Sequence, residues 1–480
     1  MRGVISAAGY VPYRRLDRSE IANFFGTGGG TGTRAVASYD EDTSTMGQAA
    51  ADLALRSTDV EPEALWFATS APAYLEKTNA AAIHAALRLD PAVNALDFGG
   101  AVRSGIGALR AALAGSGPTL VVAADTRDGL PTGTDEASAG DGAAATLVGD
   151  DSDGTVLAEY LGGACRTVEI TERWRTPGSG RSRTWEERFG AHVLGPAALE
   201  AWQAALDDSG LADSADIDRL AVTGLNSRAV ASALKAIDAK AGSLVDPLIA
   251  MVGNTATAHP GLLLCSALEH ASPGETIAVM ALADGVEAII VRVTEATADH
   301  RPAASLAAQI AAGGPLSYGR FLAWRNMVEV EPPNRPAPAR PSSSAANRRS
   351  EWKYGFAGSR DRSSGMVHLP PARVSEKGGA ADDMDREPMA HTAGTVASFT
   401  VDRLAYSPSP PTVFAVVDFD DGGRTPLELT DIDADEVHVG MRVVPTFRRL
   451  YTADGIHNYF WKARPRRDGI PGDAQPGDSR

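Results

Sequence analysis

The stretch ALDFGGAVRSGIGALRAAL, residues 95 to 113, runs from an apolar strand through a double glycine into an alanine-rich helix. Such a turn sets its apex residue at a helix N-terminus, where unpaired N–H groups and the helix dipole favour a thiolate or an oxyanion. The apex residue is Val102, which has no nucleophilic atom. Ser104 lies two residues on, but a serine nucleophile needs an adjacent base, so it reads as a capping or packing residue. Arg103 is unfavourable at a helix start and either complements a substrate carboxylate or pairs with an acidic neighbour such as Asp97. AHPG, residues 258 to 261, offers His259. Its imidazole either titrates near neutrality and moves a proton, or caps a helix whose first residue is Pro260. TERWRTPGSGRSRTWEERFG (171 to 190) gathers Arg173, Arg175, Arg181 and Arg183 around Trp174 and Trp185. Arginine forks suit phosphates and tryptophan faces suit adenine; the plainer alternative is a solvated loop with local Glu–Arg pairs.

The elements that must position these residues follow from the rest of the chain. At 480 residues and 44% hydrophobic content it has room for about three domains and a substantial core. A net charge of −16 disfavours phosphate backbones and anionic lipid, so no nucleic-acid or membrane partner is expected. Two cysteines, Cys165 and Cys265, are too few for a disulfide framework, and no apolar run reaches 18 residues. The expected location is cytoplasmic.

Residues 331 to 347 open the sharpest break in composition, where proline, serine and arginine displace apolar periodicity. Before it a pattern occurs twice. LWFATSAP, FGGAVRSGIGALRAALA, TLVVAADT and GDGAAATLVG form one series of strand, glycine turn, helix and strand. RLAVTGLNS, MVGNTATAHPGLLLCSALEHA, TIAVMALADG and EAIIVRV form the second. Runs without polar alternation, such as TLVVAAD, predict strands buried on both faces. After the break, TVASFTVDRLAY, TVFAVVDFD and VHVGMRVVPTFRRLY alternate like strands of a small antiparallel barrel.

The elbow at 95 to 113, GDGAAATLVG at 140 and VGNTATAHP at 252 together resemble the thiolase superfamily, specifically the ketoacyl synthase III and hydroxymethylglutaryl-CoA synthase branch. The second part is similar to the acyl-CoA-associated OB-fold family with an N-terminal rubredoxin-like zinc ribbon. YGFAGSR, HLPPARV and GMRVVPTFRRLYTADGIHNYFWKARP carry that likeness. The implied fold is a layered αβαβα sandwich of two similar halves (about 1–155 and 156–330). A linker (331–347), a degenerate ribbon (348–392), an all-β OB-fold barrel (393–467) and a flexible tail (468–480) are expected to follow.

The resemblance implies a Cys–His–Asn triad, and the chain departs from it. Val102 stands at the cysteine position, Gly224 at or beside the histidine position, and Asn254 matches the asparagine. Ser70 replaces the glutamate of the synthase branch. By the resemblance, substrate contacts are assigned to Gly100, Ala101, Arg103, Arg173, Trp174 and Arg175, and catalytic roles to Asn254 and His259. The four ribbon ligand positions are Asp361, Ser364, Ser375 and Gly378, which lack the Cys or His donors that zinc needs, so no metal is expected. Some thiolase-fold proteins partnered by OB-fold subunits lack the nucleophile and act as retro-aldolases on CoA thioesters. The leading expectation is therefore Cys-independent C–C chemistry, aldol or retro-aldol in type, on a CoA thioester, with no cofactor. A non-catalytic acyl-CoA-binding or scaffolding protein and a conventional condensing acyltransferase are the alternatives. The expected partners are an acyl-CoA substrate, a second copy through the thiolase-like domain, and a thiolase or hydratase.

Overall fold

The computed structural model describes residues 1–467, so the tail expected at 468–480 lies outside the described residues. Packing divides the chain into two units: Met1–Ala37, Ala49–Ala81 and Pro91–Tyr318 form the first, while Ser38–Gln48, Ala82–Asp90 and the chain from Gly319 form the second. Segments 38–48, 82–90 and 319–330 thus go with the second unit by packing.

Nine strands make the sheet of the first unit: β1 (Arg2–Tyr10), β2 (Ala64–Ala68), β3 (Asn94–Phe98), β4 (Thr119–Asp125), β5 (Gly142–Asp150), β6 (Ala158–Thr167), β7 (Arg219–Gly224), β8 (Thr276–Leu282) and β9 (Gly285–Val293). Their order is β7-β8-β9-β6-β1-β5-β4-β2-β3. The repeat predicted from sequence is visible in the pairing. β1–β5 and β5–β4 are antiparallel and β4–β2 parallel; β6–β9 and β9–β8 are antiparallel and β8–β7 parallel. Where the first half adds β3 in parallel beside β2, the second has a single parallel bridge, Leu220 to Leu244. The halves join where β1 meets β6 at Gly3–Glu159 and Val4–Ala158. Every residue of β4 and β8 is buried, as runs without polar alternation require.

Four helices matter to the site: α1 (Ser104–Leu113), α2 (Glu187–Asp208), α3 (Ser227–Ile237) and α4 (His259–Glu269). Ile106, Leu109 and Leu113 of α1 share one buried core with Leu262, Leu263 and Leu264 of α4. Burying side chains of this size stabilises by about 1.5–3 kcal/mol each. α2 and α3 supply Leu194, Ala201, Trp202, Ala229 and Ile237 to a second core with β7, β8 and β9. Close approach is set by Gly105, where a Cβ would lie 2.2 Å from the Thr257 carbonyl oxygen. The architecture is the expected thiolase-like α/β fold.

In the second unit, β10 (Ala357–Asp361), β11 (Val367–His368) and β12 (Met384–Pro388) form a small antiparallel sheet. β13 (Gly394–Asp402), β14 (Thr412–Phe419), β15 (Arg424–Glu428), β16 (Arg442–Ala453) and β17 (Ile456–Pro465) follow in the order β15-β14-β13-β16-β17. A parallel bridge between Leu429 and Ala463 connects the two ends of this OB-fold sheet, whose ladder pairings are all antiparallel. Val396, Val417, Phe447 and Trp461 fill its core, and the Phe356 ring stacks on Trp461 at 5.7 Å. Segment 331–347 is anchored: the Arg335 N–H donates to the Leu404 carbonyl at 3.2 Å and its guanidinium pairs with Asp402 at 2.7 Å.

Charges are buried here as well. Lys462 lies 3.0 Å from Asp40 and also pairs with Glu428, while Arg448 pairs with Glu41 and, at 2.7 Å, with Asp431. Burial alone lowers the pKa of a lysine, but Asp40, Tyr39 and Glu428 outweigh it and hold Lys462 above its ordinary value. These pairs explain why 38–48 joins the second unit. Removing one partner of a buried pair leaves the other charge uncompensated. Asp40→Ala is therefore expected to cost about 3–5 kcal/mol, read as faster amide exchange across residues 394–465 and an earlier denaturation midpoint. Unchanged exchange there would contradict the assignment.

Candidate functional site

The elbow is built as its sequence predicts, strand β3 leading through Gly99 and Gly100 into α1. The Ala101 N–H donates to the Gly99 carbonyl at 2.8 Å and the Ser104 hydroxyl donates to the same oxygen, so Ser104 serves the turn. Gly100 and Ala101 are exposed, and a Cβ on Gly100 would meet nothing within 4 Å. The N–H groups of Val102 and Arg103 donate to no acceptor among the described residues, which leaves them available at the head of the helix.

Arg103 is committed elsewhere. Its guanidinium donates to the Glu287 carboxylate at 2.9 and 3.2 Å, to the Asp284 carbonyl at 2.9 Å and to the Thr167 hydroxyl at 3.2 Å. The suggested partner Asp97 instead accepts from the Asn79 N–H and amide and the Ala80 N–H. Arg103 thus pairs with an acid, and that acid is Glu287, distant in sequence, in place of the suggested Asp97.

Val102 lines a cavity of about 70 Å³ together with Glu172, Arg173, Asn226, Leu282 and Asp284. Asn226 caps α3, accepting from the N–H groups of Arg228 and Ala229 at 3.1 and 3.0 Å, and its amide donates to the Glu172 carboxyl. Burial pushes the Glu172 pKa above the ordinary carboxylate value against that hydrogen bond; burial raises Asp284 against the pull of Arg103. A larger cavity of about 370 Å³ shares Glu187 and Leu225 with the first and is lined by Arg127, Thr223, Gly224, Asn254 and His259. Neither cysteine lines either cavity. Cys265 is buried in α4, and burial drives its thiol pKa far up.

Asn254 is set by its neighbours. Gly253 has φ +89°, and a Cβ there would lie 2.3 Å from the Ala139 carbonyl oxygen, so glycine lets the loop cross close beneath residue 139. The Asn254 amide donates to the Gly224 carbonyl at 3.1 Å and its oxygen accepts from the Ala256 N–H at 2.9 Å. Asn254 and Gly224, far apart in sequence, are therefore in direct contact.

His259 opens α4 and is buried. The Thr255 N–H donates to Nδ1 at 3.2 Å, which leaves the proton on Nε2, 3.0 Å from the Pro247 carbonyl. Burial pushes its pKa down to about 4, against the raising effect of Pro247. The expectation of an imidazole titrating near neutrality is corrected: both ring nitrogens are occupied and the charged form is disfavoured. Asp125, which sequence did not single out, accepts four hydrogen bonds at the end of β4, from the Thr69 hydroxyl, the Ser70 N–H and hydroxyl, and the Thr257 N–H.

In the arginine-rich segment, Arg173 and Trp174 form a two-residue strand against Arg183 and Thr184. The Arg173 fork is taken by Asp135, the Arg175 guanidinium donates to the Ser70 carbonyl, and Trp185 is 62% exposed. At the four ribbon positions, hydrogen bonds hold the turns. Asp361 accepts from the hydroxyl and N–H groups of Ser363 and Ser364, which hold its carboxyl down at about 2, while Gly378 N–H donates to the Ser375 carbonyl. This donor set does not fit zinc, and no group of three or more His, Cys, Asp or Glu converges among the described residues.

Fold and sequence together define a thiolase-like α/β protein that carries an OB-fold domain in the same chain. Residues 387–448 match the family model described as ChsH2, C-terminal OB-fold domain. The hydroxymethylglutaryl-CoA synthase of Pyrococcus furiosus is 28% identical over 298 residues, covering 59% of this chain and 83% of that protein. The structure of MvaS in complex with 3-hydroxy-3-methylglutaryl coenzyme A aligns with a TM-score of 0.56 at 21% identity, covering 70% of this chain and 94% of that one. The 3-oxoacyl-(acyl carrier protein) synthase III of Pseudomonas aeruginosa aligns at 0.53 and 21% identity, covering 61% of this chain and 98% of that one. The chain is thus similar in sequence to hydroxymethylglutaryl-CoA synthases and shares its fold with a ketoacyl synthase III. Among the described residues no helix is long and apolar enough to cross a membrane.

His259 also predicts a pH dependence. The unfolded imidazole takes a proton near its ordinary 6.5 and the folded one only near about 4, so between those values the unfolded chain binds more protons. Stability is full above pH 6.5 and is lost as pH falls toward 4, by about 3 kcal/mol for this group. His259→Asn, which keeps an acceptor near the Thr255 N–H, is expected to flatten that loss in denaturation at pH 5 against pH 7.5. Equal losses in both proteins would contradict it.

Proposed function

We propose that this chain carries out C–C chemistry of aldol or retro-aldol type on a CoA thioester without a covalent acyl-enzyme. The observation that carries the reading is the wall of the smaller cavity, where Val102 stands beside the carboxyls of Glu172 and Asp284 and no cysteine is present. In this reading Val102 occupies the place of the condensing enzymes' cysteine and Gly224 that of their histidine, so the proton work passes to a carboxyl. Glu172 takes the proton of a β-hydroxyl; the Cα–Cβ bond breaks as the carbonyl forms, and its electron pair moves into the thioester enolate. The same carboxyl then returns the proton to Cα, giving a carbonyl compound and a shortened acyl-CoA. A carboxyl raised by burial suits both halves of that exchange.

The enolate oxygen needs donors, and the N–H groups of Val102 and Arg103 at the head of α1 fit that task. Asn254, bound to the Gly224 carbonyl, shapes the wall of the adjoining cavity, and His259 positions the 254–259 loop rather than moving protons. For the second copy, this reading proposes the outer edge of β3, which pairs with β2 on one side only among the described residues and exposes Leu96.

Purified protein incubated with a series of β-hydroxyacyl-CoA thioesters is expected to release an aldehyde or ketone. Glu172→Gln is expected to lower kcat by about 10²–10⁴-fold with KM nearly unchanged. Thioester binding without turnover in the unaltered protein would favour the scaffolding alternative, and full activity in Glu172→Gln would remove the carboxyl from the mechanism.

A further inference from the structure

The larger cavity contains a charge that the proposed chemistry does not use. Arg127 follows β4 and lines the cavity, yet the residue is only 7% exposed. Its backbone is fixed: the N–H donates to Asp141 at 2.8 Å and the carbonyl accepts from the buried Arg34 at 2.8 Å. The guanidinium donates no hydrogen bond among the described residues, and Nε is buried without a partner. Its one ion-pair neighbour, Asp135, lies 3.8 Å away and is already held by both nitrogens of the Arg173 fork. Asp125 has its acceptors filled by Thr69, Ser70 and Thr257. Glu187 lines the same cavity but forms no ion pair with Arg127.

We infer that Arg127 is the anchor of an anion subsite in this cavity, taking an ionised carboxylate at the far end of the acyl chain of the bound thioester. The inference rests on the thioester reading above for the nature of the chain. The rest of the wall fits such a ligand, because Leu220, Val222, Leu234, Leu244 and Val245 line the same cavity and offer apolar surface for methylenes. A buried guanidinium with unused donors is costly alone and becomes favourable when a carboxylate accepts from its fork. Burial and the neighbouring Arg173 lower the Arg127 pKa against Asp125 and Asp135, a field that an added anion relieves.

Calorimetry with glutaryl-CoA, pentanoyl-CoA, CoA and free glutarate tests this on the full chain. The unaltered protein is expected to bind glutaryl-CoA about 10–100-fold tighter than pentanoyl-CoA, the range for a hydrogen-bonded charge pair. In Arg127→Met that preference is expected to vanish while pentanoyl-CoA binds as before. The variant without ligand is expected to stay folded, read as an unchanged circular-dichroism spectrum, because Asp135 keeps the Arg173 fork and Arg127 gives up no hydrogen bond. Glutarate alone is expected to raise the melting temperature of the parent and not of the variant, an arm that stands even if no thioester is turned over. Equal affinity for the two thioesters, or a preference surviving in the variant, would overturn the subsite. An equal loss of CoA and glutaryl-CoA binding in the variant would assign the anion to the CoA phosphates and overturn it as well.

Discussion

The site hangs on one buried carboxylate. Asp125, at the carboxyl end of the fully buried β4, accepts from Thr69, from both groups of Ser70 and from the Thr257 N–H. Those donors belong to the end of β2 and to the loop that opens α4, so a single side chain fixes two chain segments that are 187 residues apart between Ser70 and Thr257. With Thr257 held, Asn254 and His259 are confined to the cavity wall. A buried acceptor with four donors is costly to disturb, because each donor left behind loses its partner.

That pin acts within a repeated architecture. Each half runs two antiparallel pairings and then a parallel one, and each sends a helix, α1 or α4, into the common core. The elbow and the 253–259 loop approach from the two halves, and the close crossings at Gly105 and Gly253 let them do so. A symmetric scaffold thus delivers unlike ends: free N–H groups from one half, and an asparagine and a buried imidazole from the other. The chemistry proposed for the site uses that asymmetry and needs no nucleophile at the elbow.

Much of the fold was legible before any coordinates. Strands such as TLVVAAD read as doubly buried because they lack polar alternation, and the glycine turns marked where helices start. Asn254 was legible from its local motif. Glu172, Asp284 and Arg127 were not, because what sets them apart is burial among residues remote in sequence, and nothing in TERWRTP or ADTRDG announces it. Arg103 illustrates the same limit: its nearest acids in sequence suggested Asp97, while the sheet brought it Glu287. The second unit's claim on residues 38–48 was hidden likewise, since Asp40 and Glu41 find Lys462 and Arg448 only after the barrel closes.

The proposed chemistry requires that no acyl group transfer to the polypeptide while carbon–carbon chemistry proceeds. Intact-mass measurement of the protein, quenched during turnover of a β-hydroxyacyl-CoA that releases a detectable ketone, addresses it directly. The expected result is carbonyl product accumulating while the polypeptide keeps its unmodified mass throughout. An acyl-sized increment that appears and decays with turnover would contradict it.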